Sequence, residues 1–363
     1  SFPADDPRIL DALVEYGTVL YDSDDWKSAL APLMEADAIL TRRGELASLN
    51  RAKVDLALGD YWRASDIRRS LIYGRRAVSV FRTHFPTDPD FAIALRTAGY
   101  SEADMFHSRA AEALFREAEQ VQQRLGIAEA QRVQSIVTLA DMQKNLWMNA
   151  DAERNYRSAI EMSLRTNGAS HIDTLQAQLR YGAFLRGVAR YPESIGILRQ
   201  AETQAVAALG EQESFHLPTI RLELAIALLR WGDIQAAEPV LRKALAVREK
   251  TRPNTVQHAN MLATLGALIT ARGDYSQADR LLARARDIFA RVGTKEMRTA
   301  VPVYRVQNLL ASGRVSDALA EIDATEAMVA ADLAKDPDTW DDRLRAAQLS
   351  LLRARALLAS GKL

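Results

Sequence analysis

The sequence predicts an all-α solenoid of about eight helix-turn-helix units with one further helix at the C-terminal end, and three observations predict it. Alanine recurs at Ala36, Ala77, Ala118, Ala159, Ala201, Ala244 and Ala285, with Thr325 in the eighth place, at steps of 41, 41, 41, 42, 43, 41 and 40 residues. Seven residues before each stands another small residue: Ala29, Ser70, Ala111, Ala152, Ser194, Ala237, Ala278 and Ala318. Between these marks apolar residues follow helical spacing, as in HANMLATLGALITARG and the GDYSQADRLLARARDIF that continues it. A period near 41 residues means units that bury their apolar faces only against their neighbours.

The chain therefore reads as one array over residues 1–363, with repeats at roughly 6–45, 46–86, 88–126, 128–168, 171–210, 214–251, 255–293 and 298–332, then a terminal helix at 338–360. Within a repeat, Gly273-Asp274 marks the turn: glycine suits the left-handed end of the first helix and aspartate caps the second. Asp24-Asp25, Ser65-Asp66, Gly232-Asp233 and Gly313-Arg314 stand at equivalent breaks, while Trp147-Met148 and Ala189-Arg190 hold the same place with poorer turn chemistry.

The first helix of each repeat carries its own small residue, at Gly17, Gly99, Ala140, Gly182, Ala225 and Gly266, with Leu58 and Val306 as exceptions. Large residues between the second-helix marks, Leu33, Phe115, Tyr156, Leu198, Leu241, Leu282 and Ile322, are expected in the core. Gly74 breaks that pattern in the second repeat, where neighbouring Tyr73 is a candidate substitute. Pro32 and Pro239 fall within second helices beyond the first turn and should bend them, whereas Pro192 and Pro302 sit near helix starts. The loop at Lys335-Asp336-Pro337-Asp338 loosens the register, and the last helix has no partner of its own. The chain starts at Ser1 and stops where the register calls for another turn, so it reads as a piece of a longer protein.

Composition narrows the function. Forty-seven basic residues balance 47 acidic ones, so no global field favours nucleic acid or an anionic membrane. The absence of cysteine excludes disulfides, a thiolate nucleophile and cysteine-ligated metals. No apolar run reaches the roughly 18–20 residues of a membrane span, which fits a soluble fragment without fixing its compartment. Phosphate-loop, G-x-S-x-G and H-E-x-x-H sequences are missing, and the histidines His84, His107, His171, His216 and His258 read as loop-packing and capping residues. No catalytic residue, metal site or cofactor is expected. Glu153, Glu238 and Asp279, each next to a second-helix alanine, read as an outer polar face.

This arrangement resembles the tetratricopeptide repeat, and the longer period resembles its kinesin-light-chain-like variety over about residues 6–325. The connections Asp6-Pro7-Arg8-Ile9, Asp88-Pro89-Asp90-Phe91 and His171-Ile172-Asp173-Thr174 are similar to that variety's His-Pro-x-Val lead into the first helix. The resemblance implies a right-handed solenoid. On the inner face the paired asparagines of that variety are replaced by Val14-Glu15, Val137-Thr138, Leu179-Arg180, Leu222-Glu223 and Ala263-Thr264, so its cargo preference does not carry over. DDPRILDALVEYGTVLYDSDDWKSALAPL and LGDYWRASDIRRSLIYGRRA are also similar to repeat arrays attached to bacterial membrane-anchored serine/threonine kinases. That second resemblance implies a sensory or docking part of a signalling protein, in either the cytoplasm or the periplasm.

In a curved stack the first helices line the concave face. Counting from the small residue places Val14, Arg96, Val137, Lys144, Leu179, Arg186, Leu222, Arg230, Asn260 and Gln307 there, an apolar surface with basic punctuation. It suits a protein or peptide carrying apolar side chains and carboxylates. The expected role is a non-enzymatic interaction or sensing module that takes no nucleic acid. The alternative is an architectural or oligomerisation spacer.

Overall fold

The computed structural model describes residues 7–22, 26–105, 107–213, 216–292, 300–334 and 340–361. Among them the chain is all-α: α1 (Pro7–Asp22), α2 (Leu30–Arg42), α3 (Leu49–Trp62), α4 (Ile67–His84), α5 (Asp90–Asp104), α6 (Ser108–Arg124), α7 (Glu129–Asn145), α8 (Asn149–Thr166), α9 (Ile172–Gly187), α10 (Tyr191–Glu213), α11 (Leu217–Trp231), α12 (Ile234–Thr251), α13 (Val256–Arg272), α14 (Tyr275–Val292), α15 (Ala300–Ala311), α16 (Val315–Leu333) and α17 (Trp340–Ala359). A single 3-10 turn, Trp26–Ala29, precedes α2, and α10 is interrupted at Gly210, whose φ is +73°. The chain forms two compact units, 1–180 and 181–363, with the boundary inside α9.

Each predicted repeat is a helix pair, and the pairing follows from where the small residues lie. All sixteen second-helix marks, from Ala29 and Ala36 to Ala318 and Thr325, are fully buried. The first-helix glycines explain how close the two helices of a pair come. A Cβ added to Gly17, Gly182 or Gly266 would stand 2.7, 2.5 or 2.7 Å from a side-chain carbon of Leu33, Leu198 or Leu282. Each of these leucines lies sixteen residues further on and is itself fully buried. Gly99 receives the Phe115 ring in the same way, and Ala140 and Ala225 stand sixteen residues before the buried Tyr156 and Leu241.

The second repeat inverts the pair. Fully buried Leu58 is on the first helix, and the residue sixteen places on is Gly74. The glycine on α4 also lets α5 approach: a Cβ on Gly74 would stand 3.2 Å from Ala98 Cα, and one on Gly59 would stand 3.1 Å from Gly74 N. Tyr73 packs against the core cluster of Leu33, Val54 and Leu58 without entering it fully. It is half-buried, and its hydroxyl donates to Asp37 Oδ2 at 3.3 Å. In the eighth repeat both places hold branched residues, Val306 and Ile322, both fully buried.

The turns between paired helices require left-handed backbone. Gly232, Gly273 and Gly313 supply it with φ of 93°, 92° and 77°, and Asp233 and Asp274 accept from Ala236 N and Gln277 N at 3.0 Å. Trp147 and Ala189 are held at φ 61° in the same place, so packing of the flanking helices prevails over the local cost of a side chain there. Asp66 caps α4 by accepting from Arg69 N at 3.1 Å. The Asp24-Asp25 break and the 335–338 loop lie outside the described residues.

Pro239 is interior to α12, as expected, and leaves the Gln235 carbonyl without its helical donor. Pro32 differs. Because α2 begins at Leu30, Pro32 is its third residue and sits in the first turn, where a missing N–H costs nothing.

Candidate functional site

The first-helix face divides by register into closed and open positions. Three residues before the small mark, Val14, Asp55, Val137, Leu222, Ala263 and Val303 are buried, whereas Arg96 and Leu179 at the same place are half-buried. Val14 shares a core cluster with Ala57 and Leu58 of α3. The open positions lie six before and one after the mark, as at Ile93, Gln134, Thr18, Tyr100 and Gln307.

Of the ten residues counted onto this face, Val14, Val137 and Leu222 are thus only 5%, 2% and 7% exposed, and they pack the core. Leu179 and Asn260 are half-buried, and Lys144, Arg230 and Gln307 are exposed. Two of the four cations have acidic neighbours: Arg186 donates through Nε to Glu223 Oε2 at 3.0 Å, and Lys144 Nζ lies 3.7 Å from Asp141 Oδ1. Arg96 differs from both. It is half-buried, and its Nε is shut off from water without a hydrogen-bond partner among the described residues.

In the unit of residues 1–180, Arg96 belongs to a short polar and apolar series on α5. Ile93, Arg96 and Tyr100 are spaced i, i+3 and i+7, which puts them along one helix face. Ile93 is 45% exposed and, with Thr18, Lys53, Leu56, Ala57, Asp60 and Asp90 from α1, α3 and α5, lines a cavity of about 340 Å³. The Arg63 guanidinium lies over the Tyr100 ring, 4.8 Å from its centre, and the Tyr100 hydroxyl and Thr138 Oγ1 are 3.3 Å apart. Burial pushes the Asp104 carboxyl up, and Arg63 opposes that shift. The face thus offers a hollow of mixed lining whose apolar part is Leu56, Ala57 and Ile93, an unpaired guanidinium nitrogen and an aromatic ring in succession.

Next to this face lies a charged cluster whose groups pair with one another, although the Arg51 Nε is buried without an acceptor among the described residues. Arg51, 2% exposed, donates to Asp37 Oδ1 at 2.7 Å and to the Asp37 carbonyl at 3.0 Å. Arg76 Nε donates to Asp55 Oδ2 at 3.0 Å, and its Nη2 bridges Asp55 and Asp37. Burial raises the Asp55 carboxyl, while Arg76 and Arg51 pull it back. The sequence reading missed Asp55 as an ionic anchor because it holds a place where other repeats carry Val14, Val137 and Leu222.

The unit of residues 181–363 holds a larger cavity, about 560 Å³, between α12 and the end of α13. It is lined by Ile234, Gln235, Glu238, Pro239, Arg242, Ala271 and Arg272, none of them at an open first-helix position. Glu238 accepts from Arg242 at 2.8 Å and Arg272 at 2.9 Å, and Asp279 similarly holds Arg314 at 2.9 Å and Asn308 at 3.0 Å. These acids tie one repeat to the next turn; they are not merely a solvated outer face. No group of three potential ligand residues able to hold a metal occurs among the described residues, and none of the described helices is long and apolar enough to cross a membrane.

No protein-family model matches the chain, and no curated protein matches it. Solved structures do. The apo form of RapI is similar with a TM-score of 0.63 at 11% identity, over 98% of this chain and 99% of that one. Aspartyl phosphate phosphatase F from Bacillus subtilis is similar with a TM-score of 0.60 at 13% identity, over 99% and 95%. BtubC from P. vanneervenii covers 63% of this chain and 94% of its own, at 19% identity and a TM-score of 0.55. A tetratricopeptide repeat protein from Parabacteroides merdae covers 81% and 99%, at 16% identity and a TM-score of 0.55. The chain has the tetratricopeptide-repeat fold. In this fold the sequence register counts Arg96 onto the first-helix face. It missed Lys53, Leu56, Ile93 and Tyr100, although the six-before and one-after spacing would have found the last two.

Proposed function

We propose that the first-helix face of residues 1–180 binds a peptide or an extended segment of a partner protein without catalysing a reaction. An apolar side chain enters the hollow of Leu56, Ala57 and Ile93, and a carboxylate meets Arg96. The supporting observation is the Arg96 Nε, removed from water and left without an acceptor; Arg51 and Arg221 also carry one such nitrogen, but each is held through another by a carboxylate, Asp37 and Glu202. A buried donor without a partner costs roughly 1–3 kcal/mol, which an incoming acceptor returns. Two proteins of similar fold, a Rap protein complexed with competence and sporulation factor and the Rap regulator of plasmid pLS20 with the Phr* peptide, are peptide complexes. A place within a larger bacterial signalling protein, such as a receptor serine/threonine kinase, belongs to the same reading.

The test is fluorescence anisotropy with labelled peptides that pair leucine with aspartate or glutamate, against amide versions of the same peptides. Acidic peptides should bind, and Arg96→Glu should weaken them by about tenfold or more, as loss of a charge-assisted bond implies. Equal binding of acidic and amide peptides, or indifference to Arg96→Glu, would refute the carboxylate assignment.

The spacer reading also has an observation behind it. On α17 the exposed residues Ala347, Leu351, Ala354 and Leu358 form an apolar stripe at helical spacing. If that stripe joins two copies, light scattering should show a dimer that Leu351→Glu with Leu358→Glu converts to monomer. A monomer at all concentrations would remove this reading.

A further inference from the structure

We infer that His258 is an acid-released latch on the loop joining α12 to α13, where protonation of its Nδ1 breaks the bond that holds Asn254. His258 is fully buried. Its Nδ1 accepts a hydrogen bond from the Asn254 backbone N at 3.0 Å. An amide N–H can only donate, so Nδ1 carries no proton and the ring is neutral with its hydrogen on Nε2. Nε2 lies 3.5 Å from Glu249 Oε1, at the outer limit of a hydrogen bond. The loop is tied to the same residue twice, because His258 N donates to the Thr255 side chain at 3.3 Å and so helps to cap α13. Asn254 itself sits at φ 58°, in the left-handed region that asparagine tolerates better than most other residues with a side chain.

The groups around the ring set the direction of the switch. Burial acts first to lower the His258 pKa, Arg284 of α14 and Arg248 of α12 act the same way, and Glu249 of α12 opposes them. Glu249 is itself engaged by Arg284 Nη1 at 2.8 Å, which weakens its hold on the imidazole. The closed loop therefore favours the neutral ring. As pH falls below the ordinary histidine value of 6.5, the opened loop takes up a proton first and the closed form loses stability. Above that value the latch is shut. With a proton on Nδ1, two donors face each other, so Asn254 must turn away and the joint between α12 and α13 loosens. The loop-packing and capping role read for His258 from the sequence fits this in part; its acceptor role depends on the loop folding back over it.

The test uses the whole chain and two readouts. NMR titration of the His258 ring should give a midpoint below 6.5. Hydrogen exchange at the Asn254 amide, corrected for the intrinsic pH dependence, should rise by about tenfold for each unit the value is lowered. His258→Gln keeps an acceptor that cannot titrate in this range and should flatten that rise. A His258 midpoint at or above 6.5, or corrected Asn254 exchange that is level from neutral to acid pH, would overturn the latch. So would an equal rise in His258→Gln. The ring titration needs no variant, so a poorly folded substitution would not leave the matter open.

Discussion

The second and seventh repeats solve the same packing problem by opposite means. In the seventh, Gly266 on the first helix receives Leu282 from the second, and the place three before the glycine holds the apolar Ala263. In the second, the large residue Leu58 is on the first helix, Gly74 is on the second, and the equivalent place holds Asp55, neutralised by Arg76 and Arg51. In these two repeats the crossing takes one large and one small partner, on either helix, whereas the eighth packs two branched residues, Val306 and Ile322, there. The second repeat adds a constraint that the seventh lacks, since Gly74 must also admit the backbone of α5 at Ala98.

The comparison sharpens at its most costly point, Asp55. Asp55→Ala should destabilise the unit of residues 1–180 by about 1.5–3 kcal/mol, because Arg76 loses the buried carboxylate that holds it while Arg51 keeps Asp37, whereas Ala263→Ser in the seventh repeat should matter far less. Chemical denaturation of both variants reads the difference. Next come the small marks: Ala118→Leu and Ala244→Leu, both at fully buried positions, should cost about 1–3 kcal/mol, while Ala113→Leu at an exposed position of α6 should be close to neutral. Equal melting temperatures for all three would undo the register. Asp233→Ala removes the α12 cap and should cost about 1 kcal/mol in the same assay. The smallest effect is a gain. Ala189→Gly should stabilise by a little under about 1 kcal/mol, because glycine takes the left-handed turn without a Cβ penalty.

Much of the fold was legible in the sequence because close helix crossings admit few residue types. A fully buried alanine seven residues after another small residue leaves little choice about where helices meet, so the period alone located the helix pairs. Turn chemistry was a weaker guide. Trp147 and Ala189 occupy left-handed turns that composition would not assign to them, and only the period placed them correctly. The start of α2 was read too early, because the 3-10 turn at Trp26–Ala29 has the same apolar spacing as the helix that follows. That moved Pro32 from the interior to the first turn.

The candidate site was less legible than the fold. Counting from the small mark does not distinguish a side chain turned to the groove from one turned to the neighbouring helix, and Val14, Val137 and Leu222 proved to be core. Pairing was equally hidden: Arg186 and Arg96 look alike in sequence, yet Glu223 occupies the first and no described residue bonds the buried Nε of the second.

The helix pairs depend on the fit between a small residue and a large one sixteen places on, and a double-mutant cycle at the seventh repeat measures that fit. In the native background Gly266→Ala puts a Cβ 2.7 Å from Leu282 Cγ and should cost about 1–3 kcal/mol. In a Leu282→Ala background the same change should cost almost nothing, because the obstacle is gone. Equal costs for Gly266→Ala in both backgrounds would contradict the fit on which the whole register depends.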